Sequence, residues 1–402
     1  MDLIIARILG LLAVAVLVAI AARRLSLPYT VGLVLAGVGL ALSRFAIGVH
    51  LTHDIIFDLI LPPLLFEAAI NIPWRELRRD MVPVLVLSIL GVVISAAVVS
   101  GGMMWLLGWP VASALVFGVL IAATDPVAVI AMFKDTGVGG RLRLLVESES
   151  LFNDGVAAVL FGLALSWAQG QTGGVASGAW SLLTISGGGV AVGLAAGALG
   201  LFVAVGTGER IVEAALTAVV AYGSFLAAET AHVSGVLATV TAGIMMGSLG
   251  TATEVRVSRL ALDGQRFILE LWDFAAFLAN SLVFLLIGLT VARVPFDQVG
   301  WMPLTAAIAL VLLGRAATVY PLALLFARSR WRIDRAEQHI LWWGGLRGAL
   351  ALALVLTLPA SLSLRDAIVI ATFAVVVFSV LVQGVTMTML LRRLKLLPAR
   401  QP

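Results

Sequence analysis

The 402-residue sequence contains no cysteine, four histidines and few charged residues. Without cysteine, the chain can form no disulfide, no thiolate metal site and no cysteine nucleophile. The histidines, His50, His53, His232 and His339, are scattered and show no metal-ligand spacing. Charged residues make up 12% of the chain, whereas a soluble domain carries roughly 25%. A soluble globular domain is therefore excluded.

Apolar residues are abundant instead. The chain is 61% hydrophobic, with a mean hydropathy of +1.10. The first apolar run is too long for the core of a signal peptide and lacks a clear cleavage site, so we expect a helix that stays in the membrane. An isoelectric point near 10.1 could suggest nucleic acid as a partner. However, the basic residues are concentrated in every second loop between apolar stretches. This distribution indicates membrane topology and no nucleic-acid partner.

Thirteen apolar stretches are long enough to be read as transmembrane helices, which need roughly 20 apolar residues each. The predicted spans are approximately 3–22, 28–44, 51–70, 81–106, 110–133, 143–167, 178–206, 210–230, 233–249, 266–292, 301–327, 336–358 and 364–391. We expect one transmembrane domain, 1–402, without a cytoplasmic regulatory domain, because only about eleven residues follow the last span.

The loops indicate how the chain is oriented. Most of the 26 Lys and Arg residues lie in one set of alternate loops, whereas the other set holds only Arg44, Arg293 and Arg365. Positive charge marks the cytoplasmic side of a membrane protein. The N-terminus is therefore predicted outside and the C-terminus in the cytoplasm, in a multi-pass protein of the inner (plasma) membrane.

If spans 1–6 and spans 8–13 are two copies of one unit, the second copy is offset by seven helices, and an odd offset inverts it relative to the first. The predicted inverted repeat has 1–167 as the first copy, 178–206 as a linking helix and 210–391 as the second copy. Inverted repeats recur in secondary transporters, which often place their sites at helices broken in both halves. Pro126 removes a backbone donor in the fifth span. Three glycines around Arg347 interrupt the twelfth span, which is its partner in the repeat.

Carboxylates at membrane depth mark the candidate site, because each costs at least about 2.5–3.5 kcal/mol there. Asp125 lies beside the Pro126 break, and Asp154 shares a helix face with Ser150. Glu67 lies in the third span, and a break at Thr124 would free its carbonyl. Oxygen ligands of this kind suit hard cations.

Polar residues near these positions also allow a structural interpretation. Glu149 and Asn153 share an adjacent face, and Glu149 could simply pair with an arginine, either Arg347 or Arg315. We expect Asp273, like Glu213 and Glu229, to make an interhelical hydrogen bond or to lie at a helix end.

Six motifs resemble the cation:proton antiporter-1 family, which contains the NhaP-type sodium/proton antiporters and the animal sodium/proton exchangers. The motifs are PPLLFEA at 62–68, TDP at 124–126, ESLFNDG at 149–155, SGVLA at 234–238, NSLVFLLIG at 280–288 and GGLRGA at 344–349. The resemblance implies an all-α fold of the NhaA-like antiporter type, with about thirteen helices, two inverted six-helix repeats and two crossed, discontinuous helices. It also implies a homodimer in which a core side moves against a dimerisation side.

Carried over position by position, the resemblance also implies roles for individual residues. Sodium and protons would bind at Glu67, the Thr124 carbonyl, Asp125, Ser150 and Asp154. Asn153 would support the site, and Glu149 would pair with Arg347. The Asn153–Asp154 pair resembles the electroneutral branch of the family.

The sequence therefore predicts a secondary transporter, not an enzyme, that needs no cofactor. A desolvated carboxylate holds a proton unless a cation replaces it, so one carboxylate, Asp154, can exchange one proton for one sodium ion. Asp125 is expected to be a supporting ligand. A potassium/proton antiporter of the same fold and a cation channel stay open as alternatives. An intramembrane aspartyl protease fits less well, because its two carboxyls must share a proton.

Overall fold

The computed structural model describes residues 2–25, 27–43, 52–171, 175–207, 209–252 and 259–396. These residues form α-helices joined by short turns, as predicted. The helices are α1 (Asp2–Leu25), α2 (Tyr29–Leu42), α3 (Leu61–Ile70), α4 (Trp74–Leu107), α5 (Val111–Leu120), α6 (Val127–Thr136), α7 (Gly140–Ala168), α8 (Val175–Thr207), α9 (Arg210–Thr230), α10 (Gly235–Ala252), α11 (Arg259–Val291), α12 (Trp301–Leu325), α13 (Arg335–Trp343), α14 (Ala349–Leu356), α15 (Arg365–Phe378) and α16 (Gly384–Arg393).

The hydropathy pattern predicted the positions of the helices more accurately than the residues at which they begin and end. The predicted span 210–230 coincides with α9, but α4 begins at Trp74 and not at 81, since its polar first turns remain helical outside the apolar stretch. Among the described residues, seven helices are long and apolar enough to cross a membrane, judged by length and composition. The count of thirteen crossings stays a prediction. Arg44, one of the loop arginines, lies outside the described residues.

Both predicted helix interruptions are present. The span predicted at 110–133 consists of α5 and α6 with a non-helical stretch over residues 121–126, which includes Thr124–Pro126. The span at 336–358 consists of α13 and α14 with a break between Trp343 and Ala349. In each case the residues expected to interrupt the helix lie at the interruption: a proline in the first span and glycines in the second.

A further irregularity precedes α3. Residues Ile55–Ile60 form a π-helical segment directly before Pro62 and Pro63. Each proline lacks the N–H that would bond to the carbonyl four residues earlier. Tyr222 of α9 donates its hydroxyl to one of these carbonyls, that of Leu59, at 2.9 Å. This hydrogen bond joins the π-helical segment before α3 to α9.

Packing divides the helices into two groups. In the first, which we call the core group (α4–α7 and α12–α16), α4 packs against α5, α7 and α12. In the second, the scaffold group (α1–α3 and α8–α11), α10 packs against α3, α8 and α9, and α11 packs against α2. A Cβ at Gly37 of α2 would overlap the backbone of α11 near Gly288, so glycines permit this close approach. Fewer contacts join the two groups than hold each together.

Candidate cation site between two helix groups

The two interrupted helices touch at their breaks. The Asp125 amide donates to the Leu346 carbonyl at 2.8 Å, which forms an isolated antiparallel β-bridge. Backbone groups freed by a break at membrane depth must find partners inside the protein. Each interruption therefore supplies hydrogen-bond partners for the other and fixes their relative position.

A negative side chain lies at the N-terminal ends of two of these half-helices, and a positive side chain lies at the C-terminal ends of the other two. The Asp125 Oδ1 atom accepts a hydrogen bond from the Val127 amide at 2.9 Å, and the carboxylate also accepts one from the Ala349 amide. These amides belong to the first residues of α6 and α14, whose N-terminal dipoles favour negative charge. The buried Arg347 side chain donates to the Ile121 carbonyl at 2.6 Å and to the Gly345 carbonyl. Those carbonyls follow α5 and α13, where positive charge is favoured.

Gly348 brings one break against the carboxylate of the other. A Cβ atom at this position would overlap the Asp125 side chain, so only glycine fits there. The glycine-rich motif around Arg347 therefore has a steric purpose beyond interrupting the helix.

The α7 face predicted from the i, i+4 spacing lies against the first break. The Ser150 hydroxyl contacts both the hydroxyl of Thr124, at 2.8 Å, and its carbonyl oxygen. One turn further, Asp154 faces a cavity, and its buried Oδ1 atom has no hydrogen-bond partner among the described residues. A hydroxyl, a carbonyl and a carboxylate oxygen thus belong to one corner of the site.

Asn153 and Glu149 connect this corner to an arginine. Asn153 accepts from the Thr124 amide at 3.1 Å and donates to its hydroxyl at 2.6 Å and to Glu149 at 3.2 Å. Arg315 binds both Glu149 oxygens, each at 2.7 Å, with both side chains buried. The pairing of Glu149 with Arg347, implied by the resemblance, is wrong, because Arg347 points at the helix-end carbonyls; the alternative partner, Arg315, is the correct one.

The cavity lies between the two helix groups and has a volume of about 290 Å³. The core group contributes Thr124, Asp125, Lys134 and Asp154, and the scaffold group contributes Glu67, Asp273 and Asn280. Glu67 accepts a hydrogen bond from Asn71 at 3.1 Å and lies 3.9 Å from the Lys134 ammonium.

The predicted site residues are therefore neighbours of the cavity, though not all in the same way. Asp125, Asp154, Thr124 and Glu67 line it, whereas Ser150 reaches it through Thr124. Among the described residues, no three histidine or carboxylate side chains converge closely enough to hold a metal ion by themselves. A cation site here has to include carbonyl and hydroxyl oxygens, which suit hard cations.

Sequence reasoning missed three charged residues of the cavity, Lys134, Glu147 and Asp273. The predicted span 110–133 ends one residue before Lys134, and Asp273 was expected to make an interhelical hydrogen bond or to lie at a helix end. The two residues bond to each other, at 3.1 Å. A signal was present for Asp273, because Asp273, Phe277 and Asn280 repeat at helical spacing and all line the cavity.

Comparisons with known proteins indicate the family and the fold of the chain. A family model described as "Sodium/hydrogen exchanger, transmembrane" matches residues 11–393. The Na(+)/H(+) antiporter ApNhaP of Aphanothece halophytica is 40% identical over 396 residues, covering 97% of this chain and 74% of that protein. NhaH of Halobacillus aidingensis is 34% identical, covering 97% and 98%. The sodium proton antiporter MjNhaP1 of Methanocaldococcus jannaschii shares the fold, with a TM-score of 0.75 and 21% identity over 97% and 98% of the two chains.

Proposed function

The chain belongs to the sodium/hydrogen exchanger family, and we propose that it exchanges sodium for protons by alternating access to the site at Asp154. The observation that carries this proposal is the buried Asp154 oxygen, which has no hydrogen-bond partner among the described residues. It lies beside Ser150 and Thr124, where two interrupted helices meet at a cavity between helix groups. Transporter sites characteristically lie at such interruptions. Movement of the core group against the scaffold group would expose the site to each side in turn.

Charge pairing supports exchange of one sodium ion for one proton. Glu149 is neutralised by Arg315, and Asp125 lies between helix N-termini with Arg347 at the opposing helix ends. Asp154 then carries the charge that a proton or a sodium ion must compensate. Because both ligands compete for one carboxylate, sodium binding requires loss of the proton, and proton binding expels sodium.

Replacement of Asp154 tests the site directly. In proteoliposomes, Asp154→Asn should abolish sodium-dependent dissipation of a pH gradient, because an amide can neither release a proton nor compensate a cation. Asp366→Asn is the matched control, since the Asp366 side chain is 85% exposed and does not line the cavity. Full activity of Asp154→Asn would refute the assignment.

Stoichiometry needs a separate measurement. One-for-one exchange moves no net charge, so an imposed membrane potential should leave the rate unchanged when the pH gradient is zero. A rate that follows the potential would contradict the electroneutral mechanism.

We further propose thirteen crossings in two inverted six-helix repeats, 1–167 and 210–391, joined by 178–206 in one transmembrane domain. The opposed breaks of α5/α6 and α13/α14 support this repeat. We propose that the chain is a multi-pass protein of the inner (plasma) membrane, with its N-terminus outside and its C-terminus in the cytoplasm, and that it forms a homodimer. Single cysteines in the cysteine-free chain, labelled from one side, test the orientation, and mass photometry tests the dimer.

Potassium is the main alternative cargo, since the same oxygen ligands accept either ion, and a cation series in the transport assay decides between them. A channel would conduct without saturating, whereas exchange should saturate with sodium.

A further inference from the structure

The Lys134 side chain places a positive charge at the cavity that the transported ion must enter. Its ammonium lies 3.1 Å from Asp273 Oδ1 and 3.9 Å from Glu67 Oε1, and its side chain is 44% exposed. Glu67 is one of the proposed sodium ligands, so the ammonium lies beside an oxygen that the transported ion would use.

The lysine and its two partners come from different helix groups. Lys134 lies on α6 of the core group, which also carries the Asp125 break at its start. Glu67 belongs to α3 and Asp273 to α11, both of the scaffold group. The ion pairs therefore bridge the boundary across which the proposed movement occurs.

Other charges near the ammonium are already engaged. Glu147 of α7 faces Lys134 and Asp273 but lies 3.5 Å from Arg143, one turn away on its own helix. Asp273 also interacts with Glu67. Lys134 is thus shared between two scaffold carboxylates, and the nearer one, Asp273, draws it away from Glu67.

We propose that Lys134 is a tethered competitor of sodium: its ammonium competes with the ion for Glu67, and Asp273 draws the ammonium aside. The proposal rests on the cation site proposed above. A flexible stem with a compact point charge suits this role, because the ammonium can move between two oxygens. Lys134 would act through Glu67, as a positioning residue that sets the apparent sodium affinity.

Opposite shifts in KM distinguish this role from a simple structural tie. Lys134→Gln removes the competitor and should lower the KM for sodium, by about two- to fivefold given the weakness of exposed ion pairs. Asp273→Asn releases the ammonium to Glu67 and should raise the KM by a similar factor. A tie between α6 and α11 would make both variants behave alike.

The double variant tests whether the two residues act through each other. In Lys134→Gln/Asp273→Asn no ammonium remains to be released, so the KM should equal that of Lys134→Gln alone, a clear departure from additivity. Lys134→Arg keeps the charge and should stay near the wild-type KM. Lys395, the other lysine of the chain, lies outside the cavity, so Lys395→Gln should leave the KM unchanged.

Chemical modification repeats the test within one folded protein. Because the chain has no cysteine, Lys134→Cys can be modified selectively. Aminoethylation of the thiol restores a positive charge and should raise the KM towards wild type, whereas methylthiolation should not. This comparison holds even if Lys134→Gln folds poorly.

All variants are measured as initial rates in proteoliposomes beside wild type and Asp154→Asn. If Asp154→Asn stays active, the cation site itself is wrong. If Asp154→Asn is inactive but Lys134→Gln leaves the KM unchanged or raised, or Asp273→Asn shifts it in the same direction, the role of Lys134 is overturned and the site stands.

Discussion

At the residue scale, the buried pair Arg315–Glu149 holds the ligand corner in place. Both Glu149 oxygens accept from Arg315, and Glu149 also accepts from Asn153, which positions Thr124. Removal of one partner of a buried ion pair leaves an uncompensated charge, at a cost of about 3–5 kcal/mol. We expect Arg315→Met to lower the melting temperature of the detergent-solubilised protein and to impair transport.

An exposed ion pair provides the control for that prediction. The side chains of Arg332 and Asp334 are more than half exposed and lie 3.1 Å apart. Such pairs contribute about 0–1 kcal/mol, so Arg332→Met should hardly shift the melting temperature. Equal shifts for the two variants would show that the buried pair is not special. In contrast, Glu149→Gln/Arg315→Met should be more stable than Arg315→Met alone, because the stranded charge is gone.

The partner of Glu149 illustrates what the sequence could and could not predict. Spacing along one helix is local, so the shared face of Ser150 and Asp154 followed from the i, i+4 rule. Both candidate arginines lie in distant spans, and the choice between them depends on how α7 packs within the core group. Lys134 was missed for a different reason: hydropathy ended its span at 133, while α6 continues to Thr136.

At the scale of elements, the two interruptions form one unit. Their positions were predictable, because a proline and a glycine cluster are local signals. Their contact was not, since the bridge from Asp125 to Leu346 joins segments more than two hundred residues apart. The arrangement of charges at the half-helix ends follows from that contact and not from either segment alone.

Gly348→Ala tests this unit. A Cβ atom at Gly348 would overlap the Asp125 carboxylate, so we expect the variant to displace it and to lose most transport. Gly162→Ala in α7 is the control, because a Cβ there meets no atom within 4 Å. Alanine in an open helical position stabilises by up to about 1 kcal/mol, so the control should melt no lower and transport normally. Normal sodium-dependent proton flux in Gly348→Ala would contradict the proposed fit.

At the scale of the whole molecule, the separation into core and scaffold groups gives a reason for the position of the cavity. The titratable groups of the site come chiefly from the core group, while Glu67 and Asp273 come from the scaffold group. A relative displacement of the groups would therefore change the surroundings of Asp154 without breaking the ligand corner, which is held by bonds within the core group.

Cross-linking of the two groups tests whether they must move. Lys134→Cys/Asp273→Cys places one thiol on each of the two helices that the Lys134–Asp273 ion pair now joins, in a chain without other cysteines. A short, reducible bifunctional reagent should join α6 to α11 and stop exchange, and reductant should restore it. The control is Arg75→Cys/Arg79→Cys, two exposed positions one turn apart that the same reagent joins within α4, away from the cavity. Since that link does not cross the boundary, reagent and reductant should leave its rate unchanged. Undiminished exchange with α6 covalently joined to α11 would mean that transport requires no displacement at this boundary.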